Sequence, residues 1–168
     1  IVSRLSREKK IDKLIKVLSE INEKILLEII GDGPEKKKLM KLCKKLNLNK
    51  KVRFLGSRNP EKIKSLMSNF DYFINISDFE GFPNSVVEAL SCKVPVIASQ
   101  SFGGINDILK TKNYGLIFKN TKELKTILKN LVQNKFYFNF ETNILNKHLN
   151  NFSEKKNTDN YLKIMEKI

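Results

Sequence analysis

The stretch Ile25-Leu26-Leu27-Glu28-Ile29-Ile30-Gly31-Asp32-Gly33-Pro34 decides how the rest of the chain reads. A short apolar run ends at a breaker containing two glycines and a proline, the pattern of a buried strand and its turn. Leu39, Leu42, Cys43 and Leu46 follow at the spacing of one helical face, and Val52-Arg53-Phe54-Leu55 is a second apolar run. Strand, helix and strand in that order form a crossover unit, whose two strands run parallel.

The same alternation extends outward. Tyr72-Phe73-Ile74-Asn75-Ile76, Val94-Pro95-Val96-Ile97-Ala98 and Leu116-Ile117-Phe118 are further strand candidates, and Ile1-Val2 reads as the tail of a strand. Helical spacing recurs at Ile11, Leu14, Ile15 and Leu18, at Ile63, Leu66 and Met67, at Val87, Leu90 and Ser91, and at Leu124, Ile127, Leu128 and Leu131. The predicted fold is α/β: one parallel sheet with helices on both faces. Beyond residue 133 the pattern weakens. Residues 134–153 are rich in Asn, Lys and aromatics, and a last helical pattern follows at Tyr161, Leu162, Ile164 and Met165. The expected division is a domain over 1–133 and an extension over 134–168 ending in a helix. A strand tail at the start, with no initiator Met, reads as a chain taken from something longer.

With 168 residues, 40% hydrophobic and 30% charged, the chain has a globular composition. No apolar run approaches the ~20 residues of a membrane span, and no signal-peptide layout opens the chain. Two cysteines make no disulfide framework, and no Cys/His set has zinc spacing, His148 being the single histidine. A cytosolic, reduced, metal-free protein is expected, with Cys43 and Cys92 as core thiols. The net charge of +14, 32 basic residues against 18 acidic, is compatible with nucleic acid, an anionic membrane surface or phosphorylated ligands. Lys, Asn and Ile share A/T-rich codons, so base composition alone is an alternative source for much of that excess. The four arginines, at 4, 7, 53 and 58, are the more informative cations. A nucleic-acid module interleaves cations with aromatics on one face. Here lysines are spread over most helix exteriors, so nucleic acid is not an expected partner.

In open parallel sheets, ligands bind beyond the carboxyl ends of the strands. Three loops there carry suitable chemistry. In Ser3-Arg4-Leu5-Ser6-Arg7-Glu8-Lys9, Arg4 and Lys9 flank a strand-to-helix turn where cations and free N–H groups can meet a diphosphate. The alternative is that these cations, with Arg7 and Lys10, are solvated charges at the start of a helix. Gly31-Asp32-Gly33-Pro34 permits close backbone approach, with Pro34 suited to the first turn of the next helix. It reads first as a tight turn and second as a wall of the site, because the dinucleotide pattern of three spaced glycines is incomplete. In Ser77-Asp78-Phe79-Glu80-Gly81-Phe82-Pro83-Asn84-Ser85-Val86-Val87-Glu88, Glu80 precedes a glycine turn and Glu88 falls about one turn into a helix. Two carboxylates so placed can accept hydrogen bonds from sugar hydroxyls on either side of a phosphate at the helix start. Ser85-x-x-Glu88 is also a capping-box pattern, which gives Glu88 a structural alternative. Glu80 has no such alternative.

Glu80-Gly-Phe-Pro-Asn-Ser-Val-Val-Glu88-Ala-Leu closely resembles the signature of the retaining glycosyltransferases of family 4. The resemblance covers about residues 1–133 and takes in Arg4-Leu-Ser-Arg-Glu-Lys9, Gly31-Asp-Gly-Pro34, Val52-Arg-Phe-Leu-Gly56, Val94-Pro-Val-Ile-Ala98, Gly103-Gly104 and Gly115-Leu116. It implies the C-terminal half of a GT-B fold, a Rossmann-like donor-binding domain facing an N-terminal acceptor domain absent from this chain. It implies that Arg4 and Lys9 hold the donor diphosphate without a metal or other cofactor, Glu80 the sugar hydroxyls and Glu88 the ribose. Amides around Gly81, Phe82, Asn84 and Ser85 are implied to border the donor, with Gly31 and Gly33 beside it and Arg53 near the base. The expected reaction is transfer from a nucleotide-diphosphate sugar, UDP-sugar favoured, with retention of configuration. The acceptor is a glycan or lipid-linked glycan of bacterial surface polysaccharide synthesis, which fits peripheral contact with the inner face of the cell membrane. A non-catalytic nucleotide-sugar-binding remnant is the first alternative, and a nucleic-acid-binding module the second. The sequence departs from the family pattern at Ser3 and Lys10, where Gly is usual, and at Asp107, where Glu is usual.

Overall fold

The computed structural model describes residues 1–101, 103–153, 155, 156 and 158. The apolar runs become five strands: β1 (Leu27–Ile30), β2 (Val52–Gly56), β3 (Phe73–Asn75), β4 (Val96–Ser99) and β5 (Gly115–Phe118). Between and after them lie α1 (Ile11–Ser19), α2 (Lys36–Lys45), α3 (Pro60–Met67), α4 (Asn84–Ser91), α5 (Ile105–Ile108), α6 (Thr121–Val132) and α7 (Thr142–Asn150), and a 3₁₀ turn, Arg7–Lys9, precedes α1. Helix starts follow local chemistry. The Asn59 side chain accepts from Lys62 N–H ahead of Pro60, and the Asn120 side chain accepts from Glu123 N–H, so each satisfies an orphan donor.

Among the described residues all strand pairings are parallel. β1 pairs with β2 from Leu27↔Val52 to Ile30↔Gly56, with a slip after Ile29, and Val2 bridges to Ile30 on the other side of β1. β3 pairs with β4 from Phe73↔Val96, and β4 with β5 from Val96↔Gly115 to Ser99↔Phe118. The single sheet expected from the sequence is therefore hydrogen-bonded in two pieces, β1-β2 and β3-β4-β5. The physical reason is length. Val2 contributes one bridge and β3 three residues, and among the described residues no ladder joins them.

Side-chain alternation along the strands builds a core on each face. Ile29, Ile74, Ile97 and Phe118 join Leu14, Ile15 and Leu18 of α1, Leu39 and Cys43 of α2 and Leu124 and Leu128 of α6. Phe73, Val96 and Ala98 point the other way, onto Met67 of α3, Val86 and Leu90 of α4 and Ile105 and Ile108 of α5. Because Ile74, Ile76 and Ile97 share a cluster with Ile1, Leu5 and Ile29, packing joins the two sheet pieces where backbone bonds do not. Cys43 is buried as expected, whereas Cys92, at the end of α4, is only partly covered.

Two helices had no clear signal. α5 is a single turn, and α7 lies in the Asn-rich stretch with only Leu145 fully buried. Phe140, Leu149 and Phe152 pack beside Leu145 on the second core. His148 stacks on Tyr114 and its Nε2–H donates to the carbonyl of Ile108 at 2.8 Å, which fastens α7 to the end of α5. The helix expected at Tyr161, Leu162, Ile164 and Met165 lies outside the described residues.

Candidate active site

After Val2 the chain turns over the loop that leaves β1. Ser3 N–H donates to Ile30 O (3.0 Å), Leu5 N–H to Asp32 O (2.9 Å) and Glu35 N–H to Leu5 O (3.0 Å). A Cβ at Gly31, where φ is +133°, would lie 1.9 Å from the Ser3 carbonyl oxygen, and one at Gly33 would lie 2.4 Å from that of Leu5. Both glycines are thus required for two loops to touch, a use more specific than a tight turn. α2 begins at Lys36, so Pro34 precedes its first turn instead of occupying it. Arg4 rides on this double loop with its side chain exposed.

The 3₁₀ turn then delivers Lys9 inward. Its Nζ lies 2.6 Å from Glu80 Oε1, and both side chains are largely buried, at 22% and 11% exposure. Asn75, at the end of β3, donates from Nδ2 to the same Oε1 at 3.3 Å. Around them the chain is tied to itself. Ser77 N–H donates to Ser99 Oγ (3.0 Å), Ser99 Oγ–H donates to Ser77 O (2.9 Å), and Asp78 N–H donates to Glu8 O (3.1 Å). Lys10 pairs with Asp78 at 2.7 Å and Lys13 at 3.3 Å. The hydrogen bond from Lys10 is the main reason that the Asp78 carboxyl is held below the usual carboxylate range. Lys10 itself sits at φ +43° and ψ +31°, the left-handed region, which explains what a glycine offers at this position.

The loop after Glu80 rests on the loop after β4. Gly104 N–H donates to Gly81 O at 3.1 Å, and Gly103 packs directly under the Glu80 backbone. Gly81 has nothing within 4 Å of where its Cβ would be, and Phe79 and Phe82 beside it are exposed. α4 then starts at Asn84 with Pro83 as its cap residue and no side-chain cap. Ser85 is accordingly inside the first turn and Glu88 one turn further in. The capping-box pattern is not realised, because the helix starts too early for Ser85 to be its cap. Glu88 is exposed, with no side-chain hydrogen bond or ion pair to the described residues.

The fold thus brings Arg4, Lys9, Glu80, Gly31, Gly33, Gly81 and Phe82 to the loops beyond the carboxyl ends of the strands, with Asn84, Ser85 and Glu88 on the first two turns of α4, which leaves one of those loops. It does not bring Arg53. That side chain projects from mid-β2 toward its register partner Glu28, 3.6 Å away, instead of from the loop at the strand's end. Asn75 is the functional candidate that sequence reading missed. Its one signal is a polar residue inside the apolar run Phe73-Ile74-Asn75-Ile76, five positions before Glu80. Among the described residues no group of three or more His, Cys, Asp or Glu gathers as metal ligands, and no helix is long and apolar enough to cross a membrane. A cavity of about 520 Å³ lies at the amino ends of β1 and β3, lined by Leu27, Glu28, Tyr72 and Leu131 among others, away from these loops.

Parallel strands covered on both faces, with cations and carboxylates gathered beyond their carboxyl ends, define a Rossmann-like α/β domain. Residues 1–156 match the family described as Glycosyl transferases group 1, and the chain belongs to that family. It is 32% identical over 145 residues to the N-acetylgalactosamine-N,N'-diacetylbacillosaminyl-diphospho-undecaprenol 4-alpha-N-acetylgalactosaminyltransferase of Campylobacter jejuni, covering 82% of this chain and 39% of that protein. It is 28% identical over 120 residues to the N-acetyl-alpha-D-glucosaminyl L-malate synthase of Bacillus anthracis, covering 69% of this chain and 30% of that one. Among solved structures, the lipopolysaccharide outer core galactosyltransferase WaaB superposes with a TM-score of 0.86 at 23% identity, covering 99% of this chain and 48% of that one. HepE of Anabaena, solved in complex with UDP-glucose, gives 0.72 at 28% identity over 80% of this chain and 39% of that one. The chain spans less than half the length of each of these proteins. The solved neighbours are GT-B glycosyltransferases, and this α/β unit matches part of each.

Proposed function

We propose that this chain is the donor-binding half of a retaining glycosyltransferase that takes its sugar from a UDP-sugar. The observation that carries the reading is the Lys9–Glu80 pair, a cation and a carboxylate from loops 71 residues apart, joined at 2.6 Å beyond the strand ends. Arg4 and Lys9 meet the diphosphate, Glu80 accepts from sugar hydroxyls, and Glu88 accepts from the ribose. Gly81, open on its Cβ side, and the amides at Asn84 and Ser85 border the donor.

Transfer then proceeds on one face of the sugar. The leaving diphosphate takes the acceptor's proton, and Arg4 and Lys9 offset the negative charge that grows on it, an interaction stronger in the transition state than in the ground state. The assigned donor contacts include no metal. An N-terminal domain supplies the acceptor site, and a lipid-linked acceptor, like the undecaprenol-linked one in the name of the Campylobacter relative, sets the protein at an anionic membrane surface. Arg53, facing Glu28 from within β2, has no part in this assignment.

Calorimetry with uridine, UDP and UDP-glucose tests the reading on this chain. Arg4→Ala is expected to weaken UDP while leaving uridine unchanged, because uridine has no diphosphate. Equal loss for both, or no binding of any nucleotide by the unmodified chain, overturns the assignment.

A further inference from the structure

Asn75 ends β3 at 8% exposure, in register with Ala98 of β4. Its neighbours Phe73, Ile74 and Ile76 are apolar and buried, so packing alone would be served by Val or Leu. Instead the strand holds an amide whose Oδ1 is buried without a hydrogen-bond partner among the described residues. Such an atom costs stability and calls for a reason. The other end of the amide gives one. A carboxylate has only acceptors, so the amide turns its NH₂ toward Glu80, and Nδ2 reaches Oε1 at 3.3 Å.

Lys9 bonds that same oxygen, and among the described residues nothing bonds Oε2. The carboxylate is thus anchored by one oxygen, with the other left to a ligand. The two anchors differ. Lys9 sits on the short 3₁₀ turn before α1 and, in the function proposed above, also serves the diphosphate. Asn75 is on a buried strand and has no second duty. When Lys9 shares its protons with a phosphate, the bond from Asn75 is what still keeps the Glu80 carboxylate from rotating.

We propose that Asn75 is a positioning residue that holds Glu80 in the orientation in which it reads the donor sugar. The inference rests on the assignment of Glu80 to the sugar, and the experiment separates the two. Calorimetry with UDP, UDP-glucose and UDP-N-acetylglucosamine is run on the unmodified chain and on Asn75→Leu, Asn75→Ser and Glu80→Gln, with thermal melts of each. Asn75→Leu keeps the volume without the amide, and Asn75→Ser removes the amide with no added bulk. Both are expected to leave UDP affinity unchanged and to lower affinity for the preferred UDP-sugar about tenfold, the size of a lost bond to a charged group. Melting of Asn75→Leu is expected to hold or rise, because the unpartnered Oδ1 is gone. A merely structural role would lower melting and weaken UDP and UDP-sugar alike, which overturns the inference. If Glu80→Gln abolishes the preference for UDP-sugar over UDP while both Asn75 variants keep it, the inference fails and the role of Glu80 stands. If no sugar is preferred over UDP alone, or Glu80→Gln keeps the preference, the role of Glu80 fails and the inference falls with it.

Discussion

Gly103 lies so close beneath Glu80 that a Cβ on it would sit 1.7 Å from the Glu80 carbonyl oxygen. With φ at +118°, the backbone there is also one that side chains rarely adopt. The loop after β4 is therefore the floor of the loop that presents Glu80. Gly103→Ala must lift that loop or strain itself, and is expected to cost about 1–3 kcal/mol, as overpacking does. Gly81→Ala, with open space for its methyl, should stay within about 0.5 kcal/mol. Urea unfolding of both variants checks the contrast.

Glu88 is exposed and caps nothing, so Glu88→Ala is expected to change stability by less than about 0.5 kcal/mol. If it accepts from the ribose, UDP binding should weaken by roughly 1–3 kcal/mol. Calorimetry and a melt on the same sample measure both. A loss of stability with unchanged UDP affinity would make Glu88 structural after all.

Lys10 pays the cost of a left-handed backbone, about 1–2 kcal/mol for a residue with a Cβ. Lys10→Gly and Lys10→Ala both lose the contact with Asp78, but only Gly relieves the backbone. Lys10→Gly is therefore expected to be about 1 kcal/mol more stable than Lys10→Ala, the reverse of their order inside a helix. Chemical unfolding of the pair is the measurement.

The Asp78 carboxyl is held low in the folded state, chiefly by its hydrogen bond from Lys10. A depressed folded value means that the group stabilises above the ordinary carboxylate range and loses that contribution as pH falls through the lowered value. Because the pair is half exposed, the contribution is small. Asp78→Asn is expected to cost less than about 1 kcal/mol near pH 7, and that cost is expected to shrink as pH falls through the lowered value. A difference that persists in acid would show that the pairing with Lys10 and Lys13 is not its source.

α2 carries six lysines and no acid in ten residues. Lys36 and Lys38 are paired with Asp32 and Glu35, which leaves Lys37, Lys41, Lys44 and Lys45 exposed with Met40 among them. If the protein works at an anionic membrane, this face is expected to contribute, at about 1 kcal/mol per lysine near the surface. Changing all four to Glu should release the chain from phosphatidylserine vesicles, with neutral vesicles binding neither form. Unchanged sedimentation with vesicles would assign the contact elsewhere.

The strands and, apart from the single turn α5, the helices between them were legible because each is a short apolar run or a clean helical face bounded by breakers. Ile29, Ile74 and Ile97 announce themselves as core by type alone. α7 was not legible, since one buried leucine among asparagines makes no period, and its attachment runs through a polar residue, His148. The division into two sheet pieces was hidden as well, because it depends on how far Val2 and β3 extend and not on whether they are strands. At the site, residue type and loop position pointed to Lys9 and Glu80, but that they touch is a matter of folding together distant loops. Arg53 shows the limit of reading by neighbourhood. It belongs to the strand that leads to a site loop, yet its side chain faces Glu28 from within that strand.

The division of the sheet has a mechanical consequence. Arg4 and Lys9 belong to the piece built on β1 and β2, whereas Glu80 and Glu88 follow β3 in the other. Across the seam the described residues share side-chain packing, the ion pair of Lys125 on α6 with Glu20 at the end of α1, and a handful of loop bonds at the site end, such as Asp78 N–H to Glu8 O, but no ladder. A nucleotide sugar gripped by its phosphates on one bank and its hydroxyls on the other would act as a rivet. Amide exchange along the margins of both pieces, around Val2 and along β3, should then slow together when the donor is added, and the seam would be the line along which the empty domain breathes.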